Sequence, residues 1–269
     1  MNRTSRIALA ACALCFAAGA QAHRPFLVPS TTVLSGGEDW VTVDAAVSND
    51  LFYFNHQPLN VDTLQIIAPD GSSLKPENLS KGKFRNTFDV HLVAAGTYRI
   101  TAGASFVFAN YELNGEKRRW RGTAATLATE IPKGAEKLEV TEGSNRVETF
   151  VTSGKPTVTA FKPTGTGLEL QPVTQPTDLI SGESATFRLL LDGKPAPNLK
   201  VIAVPGATRY RDRQDEIATT TDAEGRFTFK WPVAGLWWIN ASTRDEHVSI
   251  PQAKERRASY AATLEVMPN

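Results

Sequence analysis

Apolar and polar residues alternate along most of this chain with a period of two, the pattern of half-buried β-strands. Val41, Val43, Ala45 and Val47 alternate with Thr42, Asp44 and Ala46, and "TLQIIAPDG" ends a run in a Pro-Asp-Gly turn at residues 69 to 71. "FRNTFDVHL" and "TYRITAGASFVF" are separated by Ala95-Gly96, and "NRVETFVTSG" closes the first set of runs. The stretch 161 to 179 is rich in Pro, Gly and Thr and reads as a connector that becomes a strand. A second set follows: "SATFRLLLDGKP", "LKVIAV", the hairpin "TTTDAEGRFTFKW" with its turn at Asp222 to Gly225, "GLWWINAS" and "SYAATLEV". Long segments with apolar residues at helical spacing are missing, so no amphipathic helix is expected. Many short strands with frequent turns predict an all-β chain of two immunoglobulin-like β-sandwich domains in tandem, residues 23–165 and 166–269. Trp237 and Trp238 are adjacent, so one faces a core and the other a domain interface or the surface.

Residues 1–22 have the three parts of an export signal: Arg3 and Arg6, an apolar stretch from Ile7 to Ala20, and Ala20-Gln21-Ala22 as the cleavage tripeptide. Leu9 to Cys12 resembles a lipoprotein box, but cutting there would leave an apolar core of only about five residues. No later stretch is apolar enough to span a membrane. Cleavage after Ala22 deletes two arginines and takes the net charge from +1 to −1, a balance that gives no reason to expect nucleic acid or an anionic membrane as partner. Cys12 and Cys15 both leave with the signal, so the mature chain has no disulfide, thiolate nucleophile or cysteine metal ligand. The expected location is the periplasm.

The second half, with Gly193-Lys194-Pro195 and Thr221-Asp222-Ala223-Glu224-Gly225-Arg226, resembles a bacterial family of periplasmic domains of unknown function often labelled as a nickel- or cobalt-transport periplasmic component (NikM-like). Its members typically start with a histidine after the signal, continue through an Ig-like domain and end in a domain with these two turns. The resemblance covers nearly the whole mature chain. It implies a transition metal ion (Ni, Co or Cu) as ligand, and an envelope metal transporter or TonB-dependent receptor as partner.

Four histidines are present: His23, His56, His91 and His247. His23 becomes the first mature residue, and its α-amine and Nδ1 can close a six-membered chelate on Cu²⁺ or Ni²⁺. Pro25, at mature position three, excludes the amino-terminal motif that needs histidine there, so another side chain must complete the site. His56 follows four apolar residues, Leu51 to Phe54, in a loop that either packs as structure or holds a ligand. His91 shares a strand face with Asp89, either as a metal ligand with a carboxylate beside it or as part of a solvated polar face. His23, His56 and His91 are the candidate ligand set, and His247 is expected in a surface loop. The segments 115–122, 209–216 and 254–257 mix basic and acidic residues and read as solvated loops or a protein-docking edge. No nucleophile elbow, phosphate loop, dinucleotide fingerprint or zinc-protease motif is present, so no enzyme is expected. The alternative to metal handling is a metal-independent binding or scaffold module of the envelope.

Overall fold

The structure is a computed structural model that describes residues 23–269; the expected signal, residues 1–22, lies outside the described residues. The first half contains β1 (Arg24–Pro29), β2 (Val33–Leu34), β3 (Asp39–Ser48), β4 (Gln57–Pro58), β5 (Gln65–Ile67), β6 (Ser73–Leu74), β7 (Glu77–Lys81), β8 (Asn86–Leu92), β9 (Gly96–Leu113), β10 (Glu116–Gly122), α1 (Ala124–Glu130) and β11 (Glu136–Ser153). The second half contains β12 (Leu168–Pro172), β13 (Ser184–Leu191), β14 (Lys194–Pro195), β15 (Lys200–Pro205), β16 (Ile217–Thr220), β17 (Arg226–Lys230), β18 (Gly235–Asp245) and β19 (Ala253–Val266). The fold is all-β, as the alternation predicts; Asn86 to Leu92, for example, alternates strictly between buried and half-buried.

The described residues form three sheets. One has the order β1-β3-β8-β7 with β4 added to β3. A second joins β12, β13, β14 and β17. Between them lies a ten-stranded sheet of order β16-β15-β18-β19-β11-β9-β5-β6, extended by β10 and β2. The two outer sheets use opposite faces of this central sheet, and β11 shows how. Its alternating side chains place Val147 and Val151 in a core with Leu27, Val43, Phe88 and Ile100, and Phe150 in another with Phe187, Phe229, Trp231 and Trp237. The two sandwiches therefore share one continuous sheet, stitched where β11 runs parallel to β19 from Val140 to Thr149.

A third apolar cluster fills the joint between the halves: Phe26, Ala46 and Leu51 from the first, Val204, Trp238 and Ala261 from the second. Trp237 faces the second core and Trp238 faces this joint. A buried polar group also crosses the junction. Glu148, 1% exposed, accepts hydrogen bonds from Thr101 Oγ1 at 3.0 Å and from Tyr260 Oη at 2.8 Å, and lies 3.4 Å from Arg146 Nη1. Burial, with the Glu148 charge beside it, pushes the Tyr260 phenol well above its ordinary value. Glu169, also buried, accepts the amides of Thr164, Gly165 and Thr166, which closes the turn entering β12.

Two local features depart from the sequence reading. Residues 124–130 form a short helix, capped by reciprocal hydrogen bonds between Thr123 and Thr126. Its one buried residue, Leu127, packs with Val107, Ala109, Val140 and Ala253, so the helix is held by a tertiary contact and not by an amphipathic repeat. The segment 115–122, read as a solvated loop or a docking edge, forms an edge strand, β10. The turn at Gly225 follows its expected chemistry: its φ is +76°, and a Cβ there would sit 2.4 Å from the Leu189 carbonyl oxygen.

Candidate functional site

The end of β3 organises the site. On one side β1 pairs antiparallel with it, Arg24 opposite Ser48. On the other, β4 pairs Gln57 with Val47. His23 precedes Arg24 and His56 precedes Gln57, so both histidines reach the same end of β3 from opposite flanks. Their ring centroids lie 3.8 Å apart with the planes tilted by 30°. His23 is exposed and His56 half-buried.

The approach to His56 is a tight loop. Ser48 Oγ donates to the Asp50 carbonyl at 2.7 Å, Tyr53 N donates to the same oxygen at 3.1 Å, and Asn55 Nδ2 donates to the Asp50 carboxylate at 2.8 Å. Leu51 at its base is fully buried in the joint. Phe52 has a φ of +65°, a left-handed conformation that costs a non-glycine residue about 1–2 kcal/mol. The loop is thus structural and also carries a histidine to the surface.

The second half holds both approaches. Arg24 Nη1 donates to Gln214 Oε1 at 2.7 Å, and its guanidinium lies 5.5 Å from the Trp238 ring centre. Trp238 Nε1 donates to the Pro25 carbonyl at 2.9 Å. Burial lowers the Arg24 guanidinium, while the charges of Glu216 and Asp50 act in the opposite sense. Beside the His56 loop, the Tyr53 ring meets Tyr210 edge-on at 5.8 Å and carries Arg209 5.4 Å from its centre. Tyr210 is 76% exposed.

The structure does not bring His91 to this pair. His91 lies opposite Trp40, at the other end of β3 from Ser48. Eight residues of strand separate the two ends, roughly 26 Å. Its ring stacks on Trp40 at 4.2 Å with planes 4° apart, and Nε2 is 3.4 Å from Glu38 Oε1. Asp89 does not orient it; that carboxylate takes hydrogen bonds from Asn78 and Thr42, which hold it below its ordinary range. His247 is in a surface loop, its side chain 89% exposed. Among the described residues no group of three or more His, Cys, Asp or Glu side chains is placed to hold a metal ion. Among the described residues, the side-chain donors brought together at this end of β3 are the rings of His23 and His56.

Sequence reasoning missed Thr208 and Gln214, which bond Leu51 and Arg24 on the approaches to the pair; Trp238, bonded to Pro25, is the member of the Trp237–Trp238 pair at the joint between the halves. The charged segment 209–216 reads as a solvated loop or a docking edge, and nothing in its composition signals that it folds back on the first half.

A family model described as a domain of unknown function, DUF4198, matches residues 20–245. No curated protein matches the chain. Among solved structures, the D0-D1 domain of intimin shares 13% identity over 89% of this chain and 97% of its own, with a TM-score of 0.21. The human OSCAR ligand-binding domain shares 12% over 91% and 99%, with a TM-score of 0.22. Trypsin-activated alpha-2-macroglobulin from Escherichia coli shares 14% over 90% of this chain and 16% of its own, again at 0.22. Overlaps this slight carry nothing about function.

Proposed function

The chain belongs to the DUF4198 family of domains of unknown function, and from its paired histidines we propose that it binds a divalent transition metal ion and handles it in the periplasm. The observation that carries this reading is the 3.8 Å approach of the His23 and His56 rings. Two imidazoles that share one metal through nitrogens about 2.0 Å from it have ring centres roughly 4.5–5 Å apart. The near-stacked pair, at 3.8 Å, is close enough to reach one ion once the rings part and turn their nitrogens toward it. Signal cleavage before His23 supplies the α-amine as third donor, in a six-membered chelate with Nδ1. The amine, with a free pKa of about 7.7–8.0, loses its proton to the metal as it binds.

A donor set of one amine and two imidazoles suits Cu, Ni and Co, and among these Cu²⁺ binds most tightly by the general order of divalent ions. Three protein donors leave a coordination position open on an exposed residue. That suits a carrier that gives up its ion by ligand exchange, and it supports an envelope metal transporter or TonB-dependent receptor as the recipient. The resemblance to nickel- and cobalt-transport components points the same way.

Equilibrium dialysis of the matured protein against Cu²⁺ and Ni²⁺ tests the proposal. One ion per chain is expected, lost in His56→Ala. Equal uptake by the two proteins would overturn it.

A further inference from the structure

The ligands of the proposed metal site belong to the first sandwich, but one loop and one tryptophan of the second add contacts to both of their approaches. We infer that residues 206–214 act as a latch through which the second sandwich sets the metal affinity of the His23–His56 pair; this rests on the metal-binding reading above.

Three observations carry it. First, the loop contacts both segments that carry the ligands. Thr208 Oγ1 accepts the amide of Leu51 at 3.1 Å, beneath the His56 loop, and Gln214 Oε1 accepts Arg24 at 2.7 Å, next to His23. Trp238, at the floor of the joint, holds the Pro25 carbonyl. Second, the latch is rigid within itself. Arg211 donates to the carbonyls of Pro205, Gly206 and Gln214, at 2.9, 2.7 and 3.2 Å, and pairs with Asp215 at 3.1 Å. One guanidinium therefore ties the two ends of the loop together. Third, each of the two loops carries a left-handed residue, Ala207 (φ +60°) and Phe52 (φ +65°), and neither has a side chain that hydrogen-bonds to offset that backbone. The Phe52 ring packs on the neighbouring Gly206: a Cβ there would lie 3.0 Å from it.

Leu51, buried and bonded to Thr208, is the link. When the latch is seated, the His56 loop has one position relative to β1, and two imidazoles and an amine converge with little ordering left to do. When it is lifted, β1 and β4 stay paired to β3, but the Leu51 and Arg24 ends of the two approaches lose the contacts that fix them to each other. Coupling of this kind is reciprocal: whatever the latch contributes to metal affinity, the metal contributes to seating the latch. A partner that engages the exposed Arg209–Tyr210 rim is then placed to loosen the ion as it docks.

The test uses the matured full chain and Cu²⁺. Thr208→Val and Gln214→Ala should weaken Cu²⁺ binding about fivefold or more, the usual lower bound for site-to-site coupling. They should also alter the Cu²⁺ electron paramagnetic resonance hyperfine splitting, and Thr208→Ser should restore both. In the wild-type protein, Cu²⁺ should slow hydrogen exchange at the Leu51 amide and along residues 206–214. Variants that melt like the wild type yet bind Cu²⁺ within twofold, with an unchanged spectrum, overturn the latch. So does unchanged exchange at Leu51 and the loop under saturating Cu²⁺, a result that does not depend on any variant folding. Failure of the wild-type protein to bind Cu²⁺ at all would instead sink the metal reading itself.

Discussion

Glu148 offers a direct test of how the two halves are joined. Its carboxylate is 1% exposed and is shared by Thr101 and Arg146 from the first half and Tyr260 from the second. Glu148→Ala removes every one of these bonds at once. It leaves the Tyr260 hydroxyl buried without its acceptor, and it leaves Arg146, whose side chain is 15% exposed, with only Glu169 at 3.7 Å as counter-charge. Breaking a buried charge arrangement by deleting one partner typically costs about 3–5 kcal/mol. For a chain of this size each kcal/mol lowers Tm by about 2–4 °C, so the expected loss is roughly 6–20 °C. Glu148→Gln, which keeps the shape and one acceptor, should lose less. Differential scanning calorimetry of both variants and of Tyr260→Phe gives the answer. Because Glu148 and Tyr260 touch, Glu148→Ala and Tyr260→Phe should be non-additive by about 0.5–3 kcal/mol. A drop below about 3 °C in Glu148→Ala, or strict additivity with Tyr260→Phe, would refute the claim that this group ties the halves together.

Three further outcomes follow from the geometry. Trp238 lies against the Arg24–Pro25 backbone, about 7 Å of strand from His23, so Cu²⁺ added to the matured protein should quench its emission, and Trp238→Phe should abolish most of that quenching. His91→Ala should leave Cu²⁺ affinity unchanged in a titration, since His91 stands at the far end of β3; a tenfold loss would place it in the site after all. Burial raises the Asp245 carboxyl, but hydrogen bonds and charge from Arg256 outweigh this and hold it below its ordinary value. A carboxylate whose folded pKa is depressed stabilises the fold above its unfolded pKa of about 3.9 and loses that contribution as pH falls through the lower folded value. The stability gap between the wild type and Asp245→Asn in urea melts should therefore be constant above about pH 5 and shrink below about pH 4; a gap that widens on acidification contradicts the pairing.

Much of this architecture can be read from the sequence because alternation and turn residues act locally. Val41, Val43 and Ala45 face inward in β3 as their spacing requires, and the turn before Arg226 forms where Asp222 and Gly225 predict it. What the sequence conceals is which strands meet. The parallel pairing of β11 with β19 joins residues more than 100 positions apart and has no local signature. The fate of the three candidate ligands turns on the same information. His23 and His56 converge, and His91 does not, because β3 pairs Ser48 with Arg24 at one end and Trp40 with His91 at the other. Histidine count and spacing carry no trace of that register. The latch is equally hidden: Thr208 and Gln214 sit in a charged stretch whose composition is that of any solvated loop.

The central claim is that His23 acts through its own α-amine as well as its ring, with His56 as the partner. The most direct measurement compares Cu²⁺ affinity of the chain beginning at His23 with that of a chain retaining Ala22. The added residue converts the amine to an amide and leaves every side chain in place. Loss of an outer-sphere partner alone typically costs 10–100-fold in metal affinity, so loss of a direct donor should weaken binding by at least about a hundredfold. Equal affinity in the two proteins would contradict the account.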